Sequence, residues 1–143
     1  MISAVLASVK ILAVEDHADT REVLKIFLEW SGAEVVAVES GSAALEALQN
    51  QKPDVLICDL SMPQMDGFEL LQKIRDLGPQ SGSVPAIACT AFGGKEDVAR
   101  TQRAGLQAHI TKPVDPKILV ATIADIVHSM PEDRRSADLH HRT

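Results

Sequence analysis

Five short apolar runs alternate with stretches of helical periodicity, and this alternation constrains the fold of the 143-residue chain more than any other feature. The runs are Lys10–Glu15, Ala33–Val38, Asp54–Asp59, Pro85–Thr90 and Ala108–Thr111. Each is apolar nearly throughout, the pattern of strands buried on both faces. Helices are predicted over 19–30, 42–49, 66–77, 96–104 and 115–128. In the first, Val23, Leu24, Phe27 and Trp30 share one side, whereas Arg21, Glu22, Lys25 and Glu29 fall on the other. Punctuation agrees: Gly32 and Gly105 follow helix ends, Ser40 or Ser42 can cap the second helix, Glu69 follows Asp66 by three residues, and Pro116 follows Asp115. Strict alternation of this kind predicts an α/β fold, a parallel sheet covered by helices on both faces. The chain divides into an N-terminal extension (1–9), one domain (10–129) and a polar tail (130–143) expected to be disordered.

Composition narrows the function. The formal net charge is −6 and no basic stripe is visible, which argues against direct binding of nucleic acid. With one Trp, three Phe and no Tyr, base-stacking platforms are also missing. Cys58 and Cys89 each sit inside a strand-like run and read as small buried thiols in a reducing cytoplasm. The apolar N-terminal stretch is too short to cross a bilayer and has no basic leader, so membrane insertion is not expected.

Chemistry concentrates at strand ends. Glu15-Asp16, Asp59, Thr90 and Lys112 lie at or just after the C-terminal ends of four predicted strands, where ligands gather in open parallel sheets. Three carboxylates there repel one another unless a cation intervenes. A hard dication bound through oxygen fits, so Mg²⁺ is expected, with Mn²⁺ as an alternative. Asp16 and Asp59 are the direct ligands in this reading, Glu15 acts partly through water, and the Ser61 backbone carbonyl adds an oxygen. A carboxylate can also serve as nucleophile toward phosphorus and form an acyl phosphate. Lys112 would offer its ammonium and Thr90 its hydroxyl to phosphoryl oxygens, and Ala91 leaves room for the group. His17, beside Asp16, reads as a loop histidine, and His140-His141 as tail residues.

Glu15-Asp16, Asp59 with Met62-Pro63 and Asp66-Gly67, Thr90-Ala91 and Lys112-Pro113 together resemble the receiver domain of two-component response regulators. The resemblance spans roughly residues 10–128. It implies a doubly wound, flavodoxin-like (βα)5 fold whose five parallel strands run in the order 2-1-3-4-5. By the same resemblance Asp59 takes its phosphoryl group from a histidine kinase or histidine phosphotransfer protein, and the Lys112–Pro113 bond is cis. The signal would pass to an unnamed downstream protein through the fourth helix, fifth strand and fifth helix. One residue departs from the pattern: His109 stands where many receivers carry the Tyr or Phe that turns inward with Thr90. The receivers of hybrid histidine kinases are similar in this respect.

Two other functions compete. An aspartyl-phosphate phosphatase would use a similar kit, but the position two residues after Asp59 is Ser61, which has no carboxylate to protonate a leaving group. A receiver-shaped interaction module that ignores phosphorylation is the other alternative, and His109 is the residue that keeps it open.

Overall fold

The computed structural model describes residues 5–59, 67–78, 82–90 and 106–129. Within them the order is β1 (Lys10–Val14), α1 (Ala18–Trp30), β2 (Glu34–Val38), α2 (Gly41–Asn50), β3 (Val55–Asp59), α3 (Gly67–Arg75), β4 (Ala86–Thr90), β5 (Ala108–Thr111) and α4 (Pro116–Ser129). All strand pairs are parallel, and the five-stranded sheet runs β2-β1-β3-β4-β5. The helix expected over 96–104 and the tail expected over 130–143 lie outside the described residues.

Side-chain alternation along the strands divides the core in two. Ile11, Ala13, Val55, Ile57, Ile87, Cys89 and Ile110 pack on one face with Leu28 of α1 and with Leu119, Ile123 and Val127 of α4. Leu12, Val14, Leu56, Cys58 and Ala86 point to the other face, against Ala44 and Leu48 of α2 and Leu70, Leu71 and Ile74 of α3. The strand order reverses between β1 and β3, and the crevice at their C-terminal ends opens there.

Local signals set the ends of the elements. Ser40 caps α2 by accepting the Ala43 N–H at 3.1 Å, which resolves the choice between Ser40 and Ser42. Asp115 accepts the Lys117 N–H at 2.9 Å in front of Pro116, the first residue of α4. Buried Asp54 ties the start of β1 to that of β3 by accepting the Lys10 N–H at 2.9 Å. Gly32 follows α1 with φ +100°, a conformation in which other residues are strained.

The first helix departs from expectation. Leu28 is its buried residue and Leu24 packs beside it, whereas Val23 and Trp30 are each 64% exposed and Ile26 is 46% exposed. At about 100° per residue, Val23, Ile26 and Trp30 lie about 140–160° from Leu28. Apolar residues thus occupy both sides of α1, and periodicity alone could not identify the inner one. The same rotation turns Arg21 inward, although its charge suggested the solvent side.

The N-terminal extension joins the core. Leu6 is fully buried in the α1/α4 layer, and its N–H donates to the Ser31 carbonyl at 2.7 Å. Leu6→Ala should therefore lower stability by about 2–4 kcal/mol in urea unfolding, with an unchanged m-value. A loss below about 0.5 kcal/mol would show that this turn is dispensable.

Candidate functional site

Strand parity brings the site together. Glu15 continues the face of Ile11 and Ala13, Asp59 that of Val55 and Ile57, and Lys112 that of Ile110, so all three converge on the α1/α4 side of the crevice. Asp59 is 3% exposed and Glu15 4%. Burying two carboxylates is costly unless charge and hydrogen bonds compensate. Lys112 supplies both, with its Nζ 2.9 Å from Asp59 Oδ2 and 3.2 Å from Glu15 Oε1. The Lys112–Pro113 peptide bond, just beyond β5, is cis.

The acidic loop has further support. The His17 N–H donates to Glu15 Oε2 at 3.1 Å. Arg21 reaches back from α1 and donates from Nη1 to the Glu15 carbonyl at 2.9 Å and, more weakly, to the Asp16 carbonyl at 3.5 Å. Sequence reading missed Arg21. Its only signal was a place one turn into the helix, on the inner side once Leu28 is taken as the centre of that side.

Asp16 completes the cluster. Ligand atoms of Glu15, Asp16, His17 and Asp59 all lie within 4.8 Å of one another. Asp16 Oδ1 is buried and makes no hydrogen bond among the described residues, although His17 Nδ1 stands 3.3 Å away. A buried carboxylate oxygen with no hydrogen bond among the described residues can accept a ligand, and three carboxylates against one ammonium leave a negative site. The donor set fits Mg²⁺.

The two cysteines prove unlike each other. Cys58 points away from the crevice into the α2/α3 layer. Cys89 pairs in register with Asp59 and so shares its face. It lines, with Asp59, Lys112, Val23, Phe27 and Leu119, a cavity of about 660 Å³ beneath α1. Both thiols are buried and outside any disulfide among the described residues, and burial pushes the Cys89 thiol up to about 12, so it is an unreactive neighbour.

His109 is half-buried on β5, on the parity opposite to Ile110, and its Nε2 is buried without a hydrogen bond among the described residues. Thr90 ends β4 paired with Thr111. Ser61, Met62, Pro63, Asp66 and Ala91 lie outside the described residues.

Electrostatics follow the geometry. Burial, and then the Asp59 charge, push the Glu15 pKa above its ordinary 4.5, against the opposing pull of the His17 N–H and Lys112. Burial pulls Lys112 down, but its hydrogen bond to Asp59 and the charges of Asp59 and Glu15 outweigh this and raise it above 10.5. A carboxyl whose pKa is higher folded than unfolded binds its proton more tightly in the folded state, so its contribution to stability falls as pH rises through that interval. Without divalent ions, the urea midpoint should decline over the pH range just above 4.5. Glu15→Gln should flatten that slope, and an identical slope in the variant would refute the assignment. The Lys112 contribution should persist to pH 10.5 and disappear above it.

The model of the response regulator receiver domain family matches residues 11–124. The uncharacterized 14.6 kDa protein in the sodA1 3' region of Leptolyngbya boryana is 40% identical over 128 residues, 90% of this chain and 97% of that protein. The transcriptional regulatory protein CseB of Streptomyces avermitilis is 34% identical over 133 residues, covering 90% of this chain but only 55% of CseB. Among solved structures, the receiver domain of the sensor histidine kinase PA1611 from Pseudomonas aeruginosa, with a magnesium ion coordinated in its active-site cleft, aligns with TM-score 0.77 and 28% identity, covering 86% of this chain and all (100%) of that one. The strand order, the acidic crevice and these likenesses agree: the chain belongs to the response regulator receiver domain family.

Proposed function

We propose that the protein is a phosphorylation-dependent signalling switch or phosphorelay intermediate, and that Asp59 is its phosphoacceptor. One observation carries the reading: a buried carboxylate at the end of β3 is held at 2.9 Å by the ammonium of Lys112, with Glu15 and Asp16 beside it. The phosphoryl donor is a histidine kinase or a histidine phosphotransfer protein. An Asp59 carboxylate oxygen attacks phosphorus, the P–O bond forms, the P–N bond of the donor phosphohistidine breaks, and the departing imidazole nitrogen takes a proton from solvent.

Asp16 and Asp59, with Glu15 in support and the Ser61 carbonyl as a further oxygen, would hold Mg²⁺, which when bound would neutralise charge on the transferring group. The chain's own residues supply the rest. Lys112 orients Asp59 before transfer and offers its ammonium to a phosphoryl oxygen afterwards. Arg21 holds the backbone of the acidic loop in place from α1. Thr90 gives its hydroxyl to the phosphoryl group, Ala91 leaves it space, and His109 relays the change to β5 and α4. The exposed Val23, Ile26 and Trp30 offer the donor's helices an apolar surface beside the cavity. Buried cysteines outside any disulfide among the described residues accord with a reducing cytoplasm.

Incubation with a small phosphodonor and Mg²⁺ should add one phosphate per chain by intact mass, and Asp59→Asn should add none. Equal labelling of that variant would remove the assignment. Lys112→Ala should slow labelling about tenfold or more, because a preorganised cation is lost from the transfer step.

A further inference from the structure

The cavity of about 660 Å³ beneath α1 touches the phosphoacceptor at one end, yet the proposed transfer makes no use of its body. Thr20, Leu24 and Phe27 recur at helical spacing and form its α1 wall. Val114 and Leu119 face them from the β5–α4 connection and from α4, and Ile57 and Cys89 of the sheet lie beneath. Apart from the Thr20 hydroxyl and the Cys89 thiol, these side chains present only hydrocarbon. Small-molecule sites have this character, about 300–1,000 Å³ of apolar space with a few placed polar groups.

The charged groups at its edges select the ligand. Lys112 is the only cation among the described residues that line the cavity, and its Nζ is held by Asp59 Oδ2 at 2.9 Å and by Glu15 Oε1 at 3.2 Å. An anionic ligand would have to take this ammonium from two buried carboxylates and leave them uncompensated. Asp19 is placed differently. It lies in the first turn of α1, one turn before Val23, and it forms no ion pair among the described residues. It stands apart from the cluster of Glu15, Asp16, His17 and Asp59. Asp19 and Thr20 are both exposed and so mark the open edge of the cavity. That edge offers an uncommitted carboxylate and a hydroxyl above a hydrocarbon interior.

We propose that the cavity binds a small apolar amine, its ring or chain between α1 and α4 and its ammonium on Asp19, with the Thr20 hydroxyl as a second acceptor. Charge complementarity sets the sign of the head group, and the hydrocarbon walls set the character of the body. Because Asp19 lies outside the metal-binding cluster, the amine and a dication can be held together.

The test is an amide NMR titration of the full chain with naphthylmethylamine, naphthalenemethanol and naphthaleneacetate, which share a bicyclic body and differ in charge. The amine should shift the amides of Thr20, Leu24, Phe27 and Leu119 and bind at least about tenfold more tightly than the acetate. Saturating Mg²⁺ should weaken the amine by less than about threefold. Asp19→Asn should cost the amine about three- to fivefold and leave the alcohol within about twofold, and an otherwise native spectrum shows that the variant is folded. Equal or tighter binding of the acetate, an amine affinity unmoved by Asp19→Asn, or the absence of saturable shifts at the cavity would overturn the inference. Displacement of the amine by Mg²⁺ would overturn it as well, because the ammonium would then sit on the metal ligands instead of Asp19.

Discussion

The contact between Lys112 and Asp59 is the interaction on which the rest of the crevice depends. Burying a carboxylate that is 3% exposed is costly without compensation, and the ammonium 2.9 Å away compensates it. The same Nζ also reaches Glu15, so one cation from the end of β5 restrains carboxylates from the ends of β1 and β3. Lys112 keeps 28% of its side chain exposed, which limits its own desolvation while its long stem carries the charge inward. Burial and attraction oppose each other at this residue, and attraction wins, as its raised pKa records.

The fold delivers these groups by register. In the order β2-β1-β3-β4-β5, β3 lies between β1 and β4, so the ends of β1 and β3 are neighbours at the reversal point. Parity then selects which side chains face α1: Glu15, Asp59, Cys89 and Lys112 belong to one face of the sheet, His109 to the other. The division separates the charged cluster from the β5 position expected to report on it. Any signal from Asp59 to His109 must therefore cross the sheet, through the C-terminal ends of β4 and β5.

Much of this was legible beforehand because apolar runs and strand-end residues are local signals. The strand order and the positions of Glu15, Asp16, Asp59 and Lys112 needed only the alternation and the family likeness. The misreadings share one cause. Val23 and Trp30 were placed on one side with Leu24 and Phe27, and Arg21 on the other, yet each is decided by rotation between elements. Helix α1 has apolar residues on both sides, so only its contact with the sheet selects Leu24 and Leu28. The pairing of Asp59 with Cys89 is likewise a relation between two strands that neither strand encodes alone. His17 and Arg21 act through a backbone loop whose shape no spacing rule predicts.

Charge balance connects the resting site to its proposed use. Glu15, Asp16 and Asp59 face one ammonium, and Arg21 spends its hydrogen bonds on carbonyls rather than carboxylates. The residual negative charge destabilises the folded chain but attracts a dication, so the site holds back stability that binding returns. Phosphorylation of Asp59 would replace a single charge by one of roughly −2 carried farther from the backbone. Lys112 could then serve the new oxygens only by loosening its hold on Glu15, whose burial already disfavours its charge. Glu15 is thus the residue whose electrostatic environment should change most when the group arrives, although it receives no phosphate. On this argument the resting state is set by Asp59 and Glu15 sharing one ammonium, and the phosphorylated state by how that sharing changes.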